Sequence, residues 1–285
     1  MKRKTKQILG GVSIVFGTGF LVFGTWLKNY MIGIPETVGP KSYDFKRQEI
    51  HVSYQGIDLY GQALIPISET SKAFPTVIYA HGAESDYNAD MTTLESLAKS
   101  GIACYTFDFY GWTDRSTGPK GVHWFKKVPR KDNFAYEEKV RLQVEDLDAV
   151  VEKVKTLDFV DTDNLFLLGS SMGGATVAAS SIKHTDDIAG IILQYPAINL
   201  VPTAQITGGE YDVNQYQGKV LLLQGTKDVI VPQEMSDSLI AHYNSVEPNH
   251  ARYLIYEGQP HVFRGAYKVQ AARDIYQFIQ ENLRS

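Results

Sequence analysis

Short, continuously apolar runs recur along this chain, separated by stretches that are apolar at every third or fourth position. The runs predict strands at 76–80, 102–109, 165–168, 189–195, 219–224 and 252–256. Strands apolar at consecutive positions are those covered on both faces, as in a parallel sheet. Between them, Val140, Val144, Leu147, Val150, Val151 and Val154 keep helical spacing and predict a helix near 135–155. Further helices are expected near 89–100, 172–183, 233–244 and 265–283. Residues 45–65 alternate instead and contain the Gln55-Gly56 turn, which predicts an antiparallel hairpin opening the sheet. Strands alternating with helices in this way predict an α/β domain with a mostly parallel sheet, here residues 44–285.

One apolar run does not fit that domain. Ile8 to Leu27 carries no charge and follows a basic tail, Lys2, Arg3, Lys4 and Lys6. At ~1.5 Å per residue this helix would span about 30 Å, the thickness of a hydrocarbon core. Residues 1–7 then read as a cytoplasmic tail, 8–27 as a transmembrane signal anchor and 28–43 as a juxtamembrane linker, with the domain outside the cell. A cleaved signal peptide is the competing reading, although no small-residue cleavage site follows the run.

Charge and cysteine content narrow the partners. The net charge of −4 includes the +4 of the tail, so the remainder carries −8. An acidic body argues against nucleic acid as a partner. The single cysteine, Cys104, lies in an expected strand, cannot form an internal disulfide and reads as inert core. A disulfide-free exported protein fits a bacterium without a strongly oxidising periplasm. No paired Cys/His spacing, H-E-x-x-H or phosphate-binding loop appears, so neither a metal nor a cofactor is expected.

The strand at 165–168 ends in Gly169-Ser170-Ser171-Met172-Gly173 and opens into a helix. A strand, G-x-S-x-G and a helix in succession form a tight turn that exposes a serine hydroxyl. That hydroxyl needs a base within hydrogen-bond reach, and the base needs an orienting carboxylate. Asp228 follows the strand at 219–224, and His261 follows the strand at 252–256. All three candidate catalytic residues thus lie just beyond strand ends, where open parallel sheets place their sites. His81-Gly82-Ala83-Glu84 follows the strand at 76–80. The backbone amides of Ala83 and Met172 are the expected oxyanion donors. His81 is expected to shape that loop, and Asp108, which precedes the serine, to be structural.

These pieces, HGAES at 81–85, FDFYGWTDRSTG at 107–118, GSSMGG at 169–174, QGTKDVIVP at 224–232 and EGQPHVF at 257–263, resemble the α/β-hydrolase superfamily. Within it the chain resembles the bacterial cinnamoyl and feruloyl esterases and the serine aminopeptidase-like branch. The resemblance implies an eight-stranded, mostly parallel sheet flanked by helices. It also implies acyl transfer through Ser171, His261 and Asp228 on a small acyl ester or, alternatively, a short peptide. A non-catalytic scaffold with the same fold is the reading from another class. Such esterases carry a sizeable lid where this chain has only Pro196 to Gly218, so the lid is reduced. The loop from Gly111 to Lys131 is rich in aromatic and basic residues instead. Its Trp112 and Trp124 are the substrate-binding candidates; a membrane-facing patch and an ordinary packed loop are the other readings.

Overall fold

The structure is a computed structural model that describes residues 33–127, 133–198, 211–245 and 247–284. Its main sheet has eight strands in the order β1 (Phe45–Glu49), β4 (Gly61–Pro66), β6 (Ala103–Phe107), β5 (Phe74–Ala80), β7 (Val160–Ser170), β8 (Ile188–Gln194), β9 (Lys219–Gly225) and β10 (Ala251–Tyr256). From β6 to β10 every neighbouring pair is parallel, whereas β4 runs antiparallel to both β1 and β6. The expected hairpin resolves into two nested pairings. β1 pairs with β4, and the short β2 (Val52–Tyr54) and β3 (Ile57–Leu59) pair around Gln55 and Gly56. Both turn residues have positive φ, 45° and 78°, as a two-residue hairpin turn requires.

The helices are α1 (Met91–Ala98), α2 (Asn133–Val154), α3 (Met172–Ser180), α4 (Gln233–Asn244) and α5 (Ala266–Glu281). The continuous apolar runs arise because alternate residues of a central strand enter two cores. Leu165 and Leu167 of β7 join Val144, Leu147, Ala175 and Leu239 of α2, α3 and α4. Phe166 and Leu168 join Leu94, Leu97, Ile275 and Phe278 of α1 and α5. Cys104 belongs to this second core, and burial pushes its thiol well above the ordinary range.

The chain passes from β5 to β6 on one side and then returns past β5 to β7. The strand order reverses there, and the loops after β5 and β7 open a crevice at the carboxyl edge.

The expected linker is only partly a linker. Residues 33–43 form a strap along α1. Gly33 packs on Thr92 and on the Gly265 carbonyl, and the Glu36 amide donates to Ser96 Oγ at 3.1 Å. The Val38 and Gly39 amides both donate to Ser100 Oγ, and Tyr43 N–H donates to the Lys99 carbonyl. Lys99 Nζ reaches the Pro35 carbonyl, and Arg273 of α5 pairs with Glu36. Among the described residues no helix is long and apolar enough to cross a membrane, and the run at 8–27 lies outside them.

Candidate active site

β7 delivers the serine turn. Ser171 sits at φ 54°, ψ −117°, which costs a non-glycine residue on the order of 1–3 kcal/mol and persists only where its surroundings force it. Two glycines allow that closeness. A Cβ on Gly173 would stand 2.1 Å from the Ala80 carbonyl oxygen, and one on Gly169 would stand 2.3 Å from that of Gly173. The Ser171 amide donates to the Gln194 carbonyl at 3.0 Å, and its carbonyl accepts from Ala197 at 2.8 Å. Strand β8 therefore clamps the turn from the other side.

The three residues expected from the sequence meet here. His261 Nε2 lies 2.9 Å from Ser171 Oγ, and His261 Nδ1 lies 2.7 Å from Asp228 Oδ2. The Asp228 side chain has no exposed surface. Its Oδ1 accepts from the Ile230 and Val231 amides, each at 2.9 Å, and its Oδ2 also accepts from Gln224 Nε2 at 3.1 Å. Gln224 is held in turn by Ser236 Oγ, which donates to its Oε1, and by the Val231 carbonyl. The role of Gln224 has no signature in the sequence beyond its place in the motif before Asp228. The Tyr195 ring packs on the His261 imidazole at 4.8 Å between centroids, from a backbone at φ 38°.

The loop that carries Ala83 lies beside the serine, and Met172 follows it in the chain. Gly82 lies against the serine, where a Cβ would be 3.2 Å from that of Ser171. Neither the Ala83 nor the Met172 amide donates to a backbone carbonyl among the described residues. His81 fixes this loop. Its Nδ1 donates to the Gly82 carbonyl at 2.7 Å, and its Nε2 accepts from the Phe109 amide at 3.1 Å, an arrangement that needs the neutral ring. Burial lowers its pKa accordingly. Asp108 is structural, as expected. It accepts from the Tyr87 amide, Thr113 Oγ1 and Arg115 Nε, and Arg115 also pairs with Asp86 of the loop.

A cavity of about 250 Å³ adjoins Ser171 and His261. Its walls include Tyr79, Ala83, Ser170, Tyr195, Asp90 and Lys268. Ser170 Oγ donates to Gln194 Oε1 at 2.6 Å, so the residue before the nucleophile is tied to β8. Asp90 accepts from Thr93 Oγ1 at 3.0 Å. Burial raises its carboxyl pKa, while Lys268 and the Thr93 hydroxyl pull the other way. Neither Asp90 nor Lys268 was legible as a site residue, because they come from the starts of two helices far apart in sequence. A wider groove of about 820 Å³ lies between Ile65, Pro66, Phe74 and Phe159, remote from the serine.

Trp112 and Trp124 are not among the walls of the cavity beside Ser171. They are 6% and 8% exposed and belong to the core below the loop. Gly111 at φ 94° lets the Trp124 indole lie directly over its backbone, and Trp124 packs on Phe125 in a tilted arrangement at 4.1 Å between centroids. The packed-loop reading is the one these residues support; the loop beyond Lys127 and the lid segment from 199 to 210 lie outside the described residues. The one cluster with metal-ligating groups close together is Glu152, His184 and Asp187, among the described residues. Lys155 Nζ already stands 2.8 Å from Asp187 and 3.5 Å from Glu152, supplying positive charge there.

The strand order, the crevice at its reversal and the serine turn together decide the architecture. The fold is that of the α/β-hydrolases. The family model of the serine aminopeptidases, S33, matches residues 71–209, just under half of the chain. Among solved structures, ferulic acid-bound Est1E from Butyrivibrio proteoclasticus is similar at TM-score 0.64 and 21% identity, covering 82% of this chain and 98% of that one. A dienelactone hydrolase from Anabaena variabilis is similar at TM-score 0.61 and 16% identity, covering 85% of this chain and 100% of that one. The quorum-quenching protein AidA from Acinetobacter baumannii is 24% identical over 193 residues, 64% of this chain. The match spans only 57% of that relative's length. The resemblance to hydrolases therefore appears in both the family model and the fold.

Proposed function

We propose that this α/β-hydrolase cleaves a short acyl ester through an acyl-enzyme on Ser171, and that residues 8–27 hold it at the outer face of a membrane. The observation that carries the chemistry is the unbroken relay from Ser171 Oγ through both nitrogens of His261 to Asp228. In this reading His261 takes the serine proton as Oγ attacks the acyl carbonyl, and Asp228 fixes the tautomer with Nδ1 protonated. The Ala83 and Met172 amides receive the developing oxyanion, and the amino end of α3 adds its dipole. His261 then protonates the leaving alcohol, and water resolves the acyl-enzyme by the same relay. A cavity of about 250 Å³ suits a small acyl group rather than a long chain.

A second reading, cleavage next to a free amine, is favoured by one observation. Asp90 places a buried carboxylate in the wall of the cavity, where it would accept a substrate ammonium.

Fluorophosphonate labelling of the full-length protein, with a panel of p-nitrophenyl esters and aminoacyl p-nitroanilides, tests both. The expected outcome is labelling of Ser171 and ester turnover that falls with acyl length. Ser171→Ala should abolish labelling and lower turnover by about 10⁴–10⁶-fold. Anilide cleavage without ester turnover would replace the first reading by the second. An unlabelled, inactive wild type would leave a scaffold with a hydrolase fold.

A further inference from the structure

The strap at residues 33–43 has a direction. Gly33 meets Thr92, Glu36 meets Ser96, Gly39 meets Ser100 and Tyr43 meets Lys99, so the strap runs parallel to α1, with Gly33 at the start of the helix. Helix α1 begins at the carboxyl edge of the sheet, directly after Asp90 of the cavity wall. Gly33 also touches Gly265, four residues after His261. The chain upstream of residue 33 therefore leaves the domain at the rim of the active-site crevice, not at the opposite edge.

The same rim is apolar. Among the described residues the exposed large hydrophobic side chains number nine, and five of them lie there. Val229 (91% exposed) and Ile230 (62%) follow Asp228, and Val262 (50%) follows His261. Ile34 begins the strap, and Tyr267 stands at the start of α5. Side chains next to catalytic groups gain nothing from facing water, and a cluster of them marks a surface with an apolar partner. The exposed Lys227 and Arg264 stand among them, suited to headgroup phosphates. Five residues, 28–32, separate the apolar run from Gly33, a reach of at most about 18 Å.

We infer that the catalytic mouth faces the bilayer, with the rim of Val229, Ile230, Val262 and Ile34 seated in the lipid interface, and that the substrate is an acyl ester presented at that surface. This rests on the reading of residues 8–27 as an anchor. The strap fixes which edge is turned to the membrane, the short tether keeps it there, and the rim supplies the apolar contact.

Cys104 is buried and is the only cysteine, so a single introduced thiol takes a fluorophore selectively. Full-length protein carrying Val229→Cys, or Ile230→Cys as a second reporter, is reconstituted in phosphatidylcholine vesicles containing spin-labelled lipid. Ser68→Cys reports from the loop before β5, a strand length of about 23 Å away. The expected result is co-flotation with the vesicles, loss of fluorescence at positions 229 and 230, and none at 68. Co-flotation with equal quenching at all positions, or with quenching only at 68, overturns the orientation and leaves the anchor standing. Failure to co-float overturns the anchor and the orientation together.

Discussion

Two buried aspartates show how the same side chain is put to opposite uses. Asp228 and Asp146 are both shielded from water, Asp146 at 1% exposure on α2. Asp228 collects four donors, two of them backbone amides and one the imidazole. Asp146 collects two, the Tyr54 hydroxyl and the Tyr110 amide at 2.9 Å. With so few donors, burial dominates and lifts the Asp146 carboxyl to about 7. Asp146 joins the small β2–β3 hairpin to the loop after β6 as a hydrogen-bonded fastener. A full shell of protein donors instead equips Asp228 to orient His261. Between these two aspartates the number of donors, rather than depth, makes the difference.

Removing the anion should have the largest effect. Asp228→Asn leaves the shape intact but favours the wrong imidazole tautomer, and kcat should fall about 10⁴-fold. Steady-state kinetics on a soluble short ester measures this; a loss under tenfold would break the contrast with Asp146. Replacing a donor is subtler. Gln224→Glu puts a second carboxyl beside Asp228, so the two share a proton. At pH 7 kcat/KM should drop about tenfold and its acid limb should move to higher pH. A merely structural glutamine would leave that limb in place.

Asp146→Asn should leave turnover unchanged and alter stability only. Below about pH 4 the carboxyl is protonated in folded and unfolded chains alike. Between there and pH 7 the folded state alone holds the proton, so stability declines as pH rises through this window. The decline should be on the order of a few kcal/mol, and Asp146→Asn should flatten it, as read from urea midpoints at pH 4 and pH 7.

The comparison also marks what a sequence reveals. Strands such as Leu165–Leu168 and helices such as α4 were legible because burial on two faces or one stripe writes a period into the chain. The triad residues were legible because each follows a strand end. Trp112 and Trp124 were open to more than one reading because an aromatic loop looks the same whether its rings roof a cleft or pack below it. The strap escaped because backbone amides reaching the hydroxyls of Ser96 and Ser100 leave no apolar pattern. Asp90 and Lys268 escaped because only the fold brings their helix starts to one cavity.

The strap also moves the place where this chain can be cut. A shortened form beginning at 44 looks natural from composition, yet it would strip the hydrogen bonds to Ser96 and Ser100, each worth about 1 kcal/mol, and uncover Tyr276 where Gly39 now lies. A protease that nicked the chain just before residue 33 would leave the folded domain whole; one that nicked it ten residues later would leave a weakened one.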